Sequence, residues 1–183
     1  MKILGICGSL RKNSFNLRLL QAAEKRLPEG VRFLRFNCGE LPMYNEDLDG
    51  ATKPDAVERM LESIRSCDAL LFATPEYNHS IPGVLKNAID WASRPANDSL
   101  LAHKPAGILS ASKSFVGGAR AQLHLHQVLD STLTMIYPSP EFLVPLAADK
   151  FDADGILKDP DTINRLQKYL YEFVIWAGKI RAR

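Results

Sequence analysis

The stretch GSLRKNSFN, Gly8 to Asn16, sets two hydroxyls, two bases and two amides between an apolar run, KILGIC, and an amphipathic one, LRLLQAAEKRL. An anion site has this composition. The first amides of a helix lack intrahelical partners and sit at the positive end of its dipole. Ser9, Ser14 and Asn16 add neutral donors, and Arg11 adds a charged, bidentate one. Asn16 can instead serve only as the cap of the following helix, and the loop as a whole can be an ordinary solvated turn. No GxGxxG follows the apolar run and no GxxxxGK[ST] is present, so neither of those phosphate loops is available. The loop offers side chains where those motifs offer glycine amides. That suits a terminal monophosphate with exposed oxygens.

Strand and helix patterns alternate around this loop. Ile3 to Cys7 reads as a first strand. Leu17, Leu20, Ala23 and Leu27 recur at helical spacing until Pro28-Glu29-Gly30. Val31 to Phe36 is a second strand, and the polar stretch after it is loop. Ala56 to Ser66 is a helix. Asp68 to Thr74, DALLFAT, is apolar on both alternations, as a central parallel strand requires. A third helix begins near Ser80, with Ser80 as cap and Pro82 in the first turn. Ala106 to Ala111 is the fourth strand and Gly118 to Leu129 the fourth helix. Leu133 to Ile136 and Phe142 to Val144 share the last strand across YPSPE. Asp159-Pro160 opens a final helix that turns Ile163, Leu166, Leu170, Phe173 and Ala177 inward.

Five strands alternating with five helices specify an α/β fold, a parallel sheet covered on both faces. The common order for five strands is 2-1-3-4-5, and ligands sit where that order reverses, at the carboxyl ends of strands 1 and 3. Polar residues with no core role do cluster there: GSLRKNSFN after the first strand and PEYNHS, Pro75 to Ser80, after the third.

A chain of 183 residues suits one domain, spanning 1–183. Its net charge of +2 without any Lys/Arg block is a weak nucleic-acid signal and is compatible with anionic small ligands. No apolar run approaches the roughly 20 residues of a membrane span, and the N-terminal run is too short for a secretion signal. The three cysteines, Cys7, Cys38 and Cys67, are scattered, which fits buried thiols in a cytoplasmic protein better than a disulfide or metal framework. His124 and His126 are two apart on a helix and diverge.

Three stretches carry a family resemblance. They are the S-x-R-x-x-S-x-N of Ser9, Arg11, Ser14 and Asn16, the run PEYNHSIPGVLKNAIDW from Pro75 to Trp91, and SFVGGARAQ from Ser114 to Gln122. Over residues 2 to about 178 the chain resembles the NADPH-dependent FMN reductases, and among them the quinone and chromate reductase branch. The resemblance implies a flavodoxin-like fold, bound FMN, NADPH or NADH as donor, and a homodimer or homotetramer. It implies that Ser9, Arg11, Ser14 and Asn16 hold the FMN phosphate. Pro75, Glu76, Tyr77 and Asn78 would line the flavin ring and ribityl chain. Ser112 and Gly117, in the loop Ser110 to Gly118, would close the other side. Read alone, Tyr77 can also be a loop aromatic, Glu76 a surface carboxylate, and Gly117 and Gly118 the turn before a helix.

Two departures stand out. Lys113-Ser114-Phe115-Val116 replaces a glycine-rich tract, which offers Phe115 as a cover for the ring. Arg120 and Glu141 match positions that pair between subunits in relatives, but Leu123 stands where a tyrosine is usual.

The function implied is hydride transfer from NAD(P)H through FMN to a small acceptor: a quinone, free flavin, azo compound or chromate. No metal is called for, and no side-chain acid–base pair. The alternative is a flavodoxin-type electron carrier or redox sensor. Such carriers are strongly acidic, and this chain is slightly basic.

Overall fold

Each short apolar run becomes a strand. The structure, a computed structural model that describes residues 1–181, sets Lys2–Cys7 (β1), Arg32–Phe36 (β2), Ala69–Thr74 (β3) and Pro105–Ala111 (β4) side by side in the order β2-β1-β3-β4. Every pair is parallel, with Ile3 opposite Phe33 on one side and Ala69 on the other. The fifth position is shared by Met135–Ile136 (β5) and Phe142–Val144 (β6), which pair with β4 from Pro105 and from Leu109 respectively. Pro138 and Pro140 lie between them and lack the N–H that a ladder needs. The flavodoxin-like order 2-1-3-4-5 is therefore the one expected.

Helices cover both faces. Phe15–Glu24 (α1) and Pro160–Arg181 (α6) pack against Ile3, Leu71 and Leu109. Asp55–Arg65 (α2), Gly83–Ala92 (α3) and Ala119–Asp130 (α4) pack against Leu4, Leu70 and Phe72 on the other side. Neighbouring residues of one strand thus enter different cores, which is why DALLFAT carries no polar alternation. Two 3-10 turns, Cys38–Glu40 and Glu46–Leu48, occupy the stretch after β2 that reads as loop, and a four-residue helix, Ala147–Lys150 (α5), follows β6.

Capping differs from the sequence reading in two places. Ser14, not Asn16, caps α1: its Oγ accepts from the Leu17 amide at 3.3 Å. Pro82, not Ser80, precedes α3, and Ser80 belongs to a hairpin described below. On α6, Leu166, Leu170, Phe173 and Ala177 are buried as expected, while Ile163 is only partly so. Tyr169 joins the interior instead. Its hydroxyl accepts from the Ile108 amide at 2.9 Å and donates to the Ile108 carbonyl at 3.2 Å, which makes its burial tolerable. That burial pushes the phenol pKa up.

Asp159 opens α6, as its Asp-Pro signature indicates. One carboxylate oxygen accepts from the Thr162 hydroxyl at 2.6 Å and amide at 3.0 Å, and the other pairs with Lys150 at 2.9 Å. These contacts, the Thr162 hydroxyl foremost, hold its pKa down at about 2. The folded value lies below the unfolded one, so the cap contributes fully above about pH 4 and loses its contribution as pH falls through about 2. Asp159→Ala is expected to lower stability by about 1 kcal/mol at pH 7. Urea unfolding of the two proteins should converge in acid; a gap that persists there would place the effect elsewhere.

Candidate functional site

The chain leaves β1 at Gly8, whose amide makes a last bond to Ala73 O at 2.8 Å. The next residues coil tightly. The Arg11 amide donates to Ser9 Oγ at 3.4 Å, and the Ser14 amide donates to Arg11 O at 3.1 Å. This turn brings Ser9, Arg11 and Ser14 to one side of the start of α1. The amides of Phe15 and Asn16 have no acceptor among the described residues. Arg11 has no ion-pair partner among them either. A cavity of about 110 Å³ opens here, and Ser9, Arg11, Ser14, Asn16, Pro75, Glu76, Tyr77 and Ser112 all contribute to its wall. Those residues come from three loops, one after each of β1, β3 and β4. The expected reversal point is where they meet.

The side chains do not all do what their positions suggest. Asn16 is 2 % exposed. Its Nδ2 donates to Ala111 O and its Oδ1 accepts from the Ala111 amide, both at 2.9 Å. Its side chain therefore ties α1 to the end of β4, and what it offers the cavity is its backbone N–H. Glu76 acts likewise. One oxygen accepts from the amides of Arg120 and Ala121 at 3.1 and 3.4 Å, and the other meets the Arg120 guanidinium at 3.1 Å. Gly118 begins α4 without a side-chain cap, so the Glu76 carboxylate supplies one from another loop. Glu76→Ala is expected to lower stability by about 1–2 kcal/mol, read as a lower urea midpoint at unchanged m-value. An unchanged midpoint would show the cap to be idle.

After Glu76 the chain makes a two-residue hairpin. Tyr77 and Ser80 exchange both backbone bonds at 3.0 Å, and Asn78 and His79 take φ of 49° and 63° between them. This is the pattern of a type I′ turn, which asparagine tolerates better than most side chains do. Ser80 Oγ meets His124 Nδ1 on α4 at 3.0 Å. Arg120 and His124, one turn apart, so hold both ends of the hairpin. Tyr77 is left 47 % exposed at the cavity rim. Asn78 stands outside the small cavity, on the exposed turn.

Gly117 and Gly118 also lie beyond the cavity wall. Their φ values are +66° and +94°, and a Cβ on Gly118 would sit 2.8 Å from that of Ser110. Glycine is required here by the backbone and by close packing. Ser110 Oγ donates to Gly117 O at 2.7 Å and accepts from Gln122 at 2.8 Å. Phe115 is 84 % exposed and covers nothing within the chain. The Arg120 guanidinium meets Glu76 of its own chain at 3.1 Å.

The cysteines are passive. Burial pushes the Cys38 thiol up to about 12, with nearby Cys7 adding to the rise, and burial raises Cys7 and Cys67 too. Among the described residues no three His, Cys, Asp or Glu side chains gather as a metal site, and no helix is long and apolar enough to cross a membrane.

Sequence reasoning missed the second half of the site. An apolar cleft of about 510 Å³ adjoins the polar cavity and shares Arg11 and Tyr77 with it. Gly8, Leu10, Met43, Pro82, Gly83 and Val84 complete its wall. Met43 comes from the stretch read as plain loop; the only sequence signal was an apolar tripeptide, LPM, inside a polar run. Larger hollows exist, of about 630 Å³ between α1 and residues 154–157 and beside Arg94 and of about 540 Å³ beside β2; only the last reaches the loop after β1, and none touches the loop after β3. Convergent donors, not volume, mark the site.

The model of the NADPH-dependent FMN reductase family matches residues 1–149. An NAD(P)H-dependent FMN reductase of Pseudomonas aeruginosa is 45% identical over 183 residues, covering 99% of this chain and 97% of the relative. An NAD(P)H:quinone oxidoreductase of Solanum tuberosum is 40% identical, covering 100% and 96%. Among solved structures, a flavoenzyme NAD(P)H:(acceptor) oxidoreductase of Paracoccus denitrificans superposes with a TM-score of 0.89 at 38% identity, with 97% of each chain covered. With the three motifs in place and matches of this length, the chain belongs to the NADPH-dependent FMN reductase family.

Proposed function

We propose that this protein is an FMN-dependent NAD(P)H oxidoreductase that reduces quinones. The observation that carries it is the two-part site: a small polar cavity walled by the donor side chains of Ser9, Arg11, Ser14, Ser112 and Lys113 and by two helix amides without acceptors among the described residues, opening beside a wide apolar cleft. FMN has these two parts, a terminal monophosphate and a flat fused ring. The cavity is large enough for the first and too small for the second, so the residues fit the group.

Ser9, Arg11 and Ser14 would hold the phosphate, with the amides of Phe15 and Asn16 as further donors. The backbone of Pro75, Glu76, Tyr77 and Asn78 would meet the polar edge of the ring, and Ser112 and Gly117 would bound its far side. The chemistry that FMN supplies when bound is two-electron transfer between a nicotinamide donor and an oxidised acceptor. The protein's part is to orient the rings and hold them together long enough to react. The clamped hairpin of Tyr77 to Ser80 suits that task, because both its ends are fixed to α4.

Relatives named as quinone reductases support a quinone acceptor. Free flavin, azo compounds and chromate are further acceptors of the same open site. Assembly as a homodimer or homotetramer is supported by exposed apolar side chains, Phe115 and Leu123 among them. The three free, buried cysteines suit the cytoplasm.

The test is to mix FMN-loaded protein with NADPH, and separately NADH, without oxygen and follow flavin absorbance. Bleaching that a quinone reverses is expected. Tight FMN binding with no bleaching by either nucleotide would sink the reductase reading and leave an electron carrier or sensor.

A further inference from the structure

Met43 is 73 % exposed, yet the backbone on both sides of it is fixed by buried groups. Asn87 of α3 is 4 % exposed. Its Oδ1 accepts from the Tyr44 amide at 2.7 Å, and its Nδ2 donates to Pro42 O at 2.9 Å. Trp91, fully buried one turn on, donates its indole N–H to the same carbonyl at 2.9 Å. The Tyr44 ring stands edge-on to the Trp91 ring, with centroids 4.9 Å apart. So three hydrogen bonds and an aromatic contact grip the two residues flanking one exposed thioether. The Asn and Trp of NAIDW are spent on this loop and not on the polar cavity.

An exposed methionine on a mobile loop would need no explanation. Here the loop is locked at its tip, and the tip residue forms one wall of the 510 Å³ cleft. Leu10 forms another wall and packs toward Gly39 in the same segment, where an added Cβ would come within 3.0 Å of it. Tyr77, Pro82 and Val84 complete an almost wholly apolar lining, with Arg11 at its polar end. Arg11 and Tyr77 belong equally to the polar cavity, so any ring seated in the cleft lies directly beside whatever the cavity holds.

We propose that Met43 is a specificity-determining residue, held by Asn87 and Trp91 as a wall that selects flat, apolar ring acceptors over compact hydrophilic ones. The inference rests on the oxidoreductase reading above and adds the residue that chooses the acceptor. A thioether suits this position, since it is polarisable and packs well against ring edges and faces. Specificity here is a difference between two acceptors: one gains the apolar contact, the other makes none.

The experiment compares 1,4-naphthoquinone with ferricyanide as acceptors for FMN-loaded wild type, Met43→Ala and Asn87→Ala. Met43→Ala should raise KM for the naphthoquinone about five- to tenfold, as loss of a few buried methylene-sized groups requires. KM for ferricyanide should stay within about twofold, because that ion makes no apolar contact with the methionine. The Kd for FMN is measured on each variant, and both KM values are taken at saturating FMN, so that a change in the seating of the flavin ring is separated from a change in acceptor choice. Asn87→Ala keeps the thioether but releases the loop, and should show the same selective loss. Direct titration of the oxidised holoprotein with naphthoquinone should show the same weakening without any turnover.

Equal changes for both acceptors, or no change for the quinone, would overturn the role of Met43. Wild-type protein that binds FMN but oxidises neither NADPH nor NADH would overturn the reductase reading instead. In that case the titration alone decides whether Met43 holds a ring.

Discussion

Arg11→Ala is expected to weaken FMN binding about 10- to 100-fold while leaving the fold intact. The guanidinium is exposed, takes no part in either core and has no ion-pair partner among the described residues. Its loss therefore costs the apoprotein little. A hydrogen bond to a charged group contributes about 1.5–3 kcal/mol, and about 1.4 kcal/mol is a factor of ten in affinity. Arg11→Lys should recover part of the loss, because an ammonium keeps the charge but not the two-pronged contact. The measurement is FMN fluorescence quenching on titration into apoprotein, with urea midpoints as the control for folding. Unchanged FMN affinity in Arg11→Ala would remove the phosphate from this cavity.

Asn16→Ala is expected to act in the opposite way, on the fold first and the ligand second. The side chain satisfies both backbone groups of Ala111, itself 2 % exposed. Alanine leaves a buried N–H and a buried carbonyl without partners, each at about 1–3 kcal/mol. A net loss of about 3 kcal/mol is expected, a large part of the 5–15 kcal/mol that holds a typical domain together. For a chain of this size that is a fall in Tm of about 6–12 °C. The same bonds position the loop after β4 against the start of α1, so FMN affinity should fall as well. Calorimetry of the apoprotein separates the two effects. A Tm within a degree or two of wild type would show that water or a local shift satisfies Ala111.

These two residues sit five apart in one motif and were read from the sequence as partners in one task. The structure divides them. Arg11 stays at the surface, where the cavity needs a charge. Asn16 is the second residue of α1, where its side chain bonds the end of β4. Residue type alone cannot separate these roles, because an asparagine that binds an anion and one that binds a backbone look the same in sequence. The partner is 95 residues away. Glu76 gives the same lesson. Read alone, its carboxylate can be a solvated surface group; in the fold it caps a helix 44 residues further along.

The sequence by itself determined the sheet, its order and the end at which the site lies. Those follow from local rules: apolar period, helix signals, and the reversal point of a doubly wound sheet. It also determined which loops carry the polar cavity, since unpaired polar residues after strands 1 and 3 had no core to serve. Only the tertiary structure decided which polar side chains are free. It alone placed Met43, from a segment without periodicity, in the wall of the same cleft as Tyr77. The physical reason is the same throughout: a side chain's role depends on which distant backbone groups folding leaves without partners, and satisfying those groups takes precedence over binding a ligand.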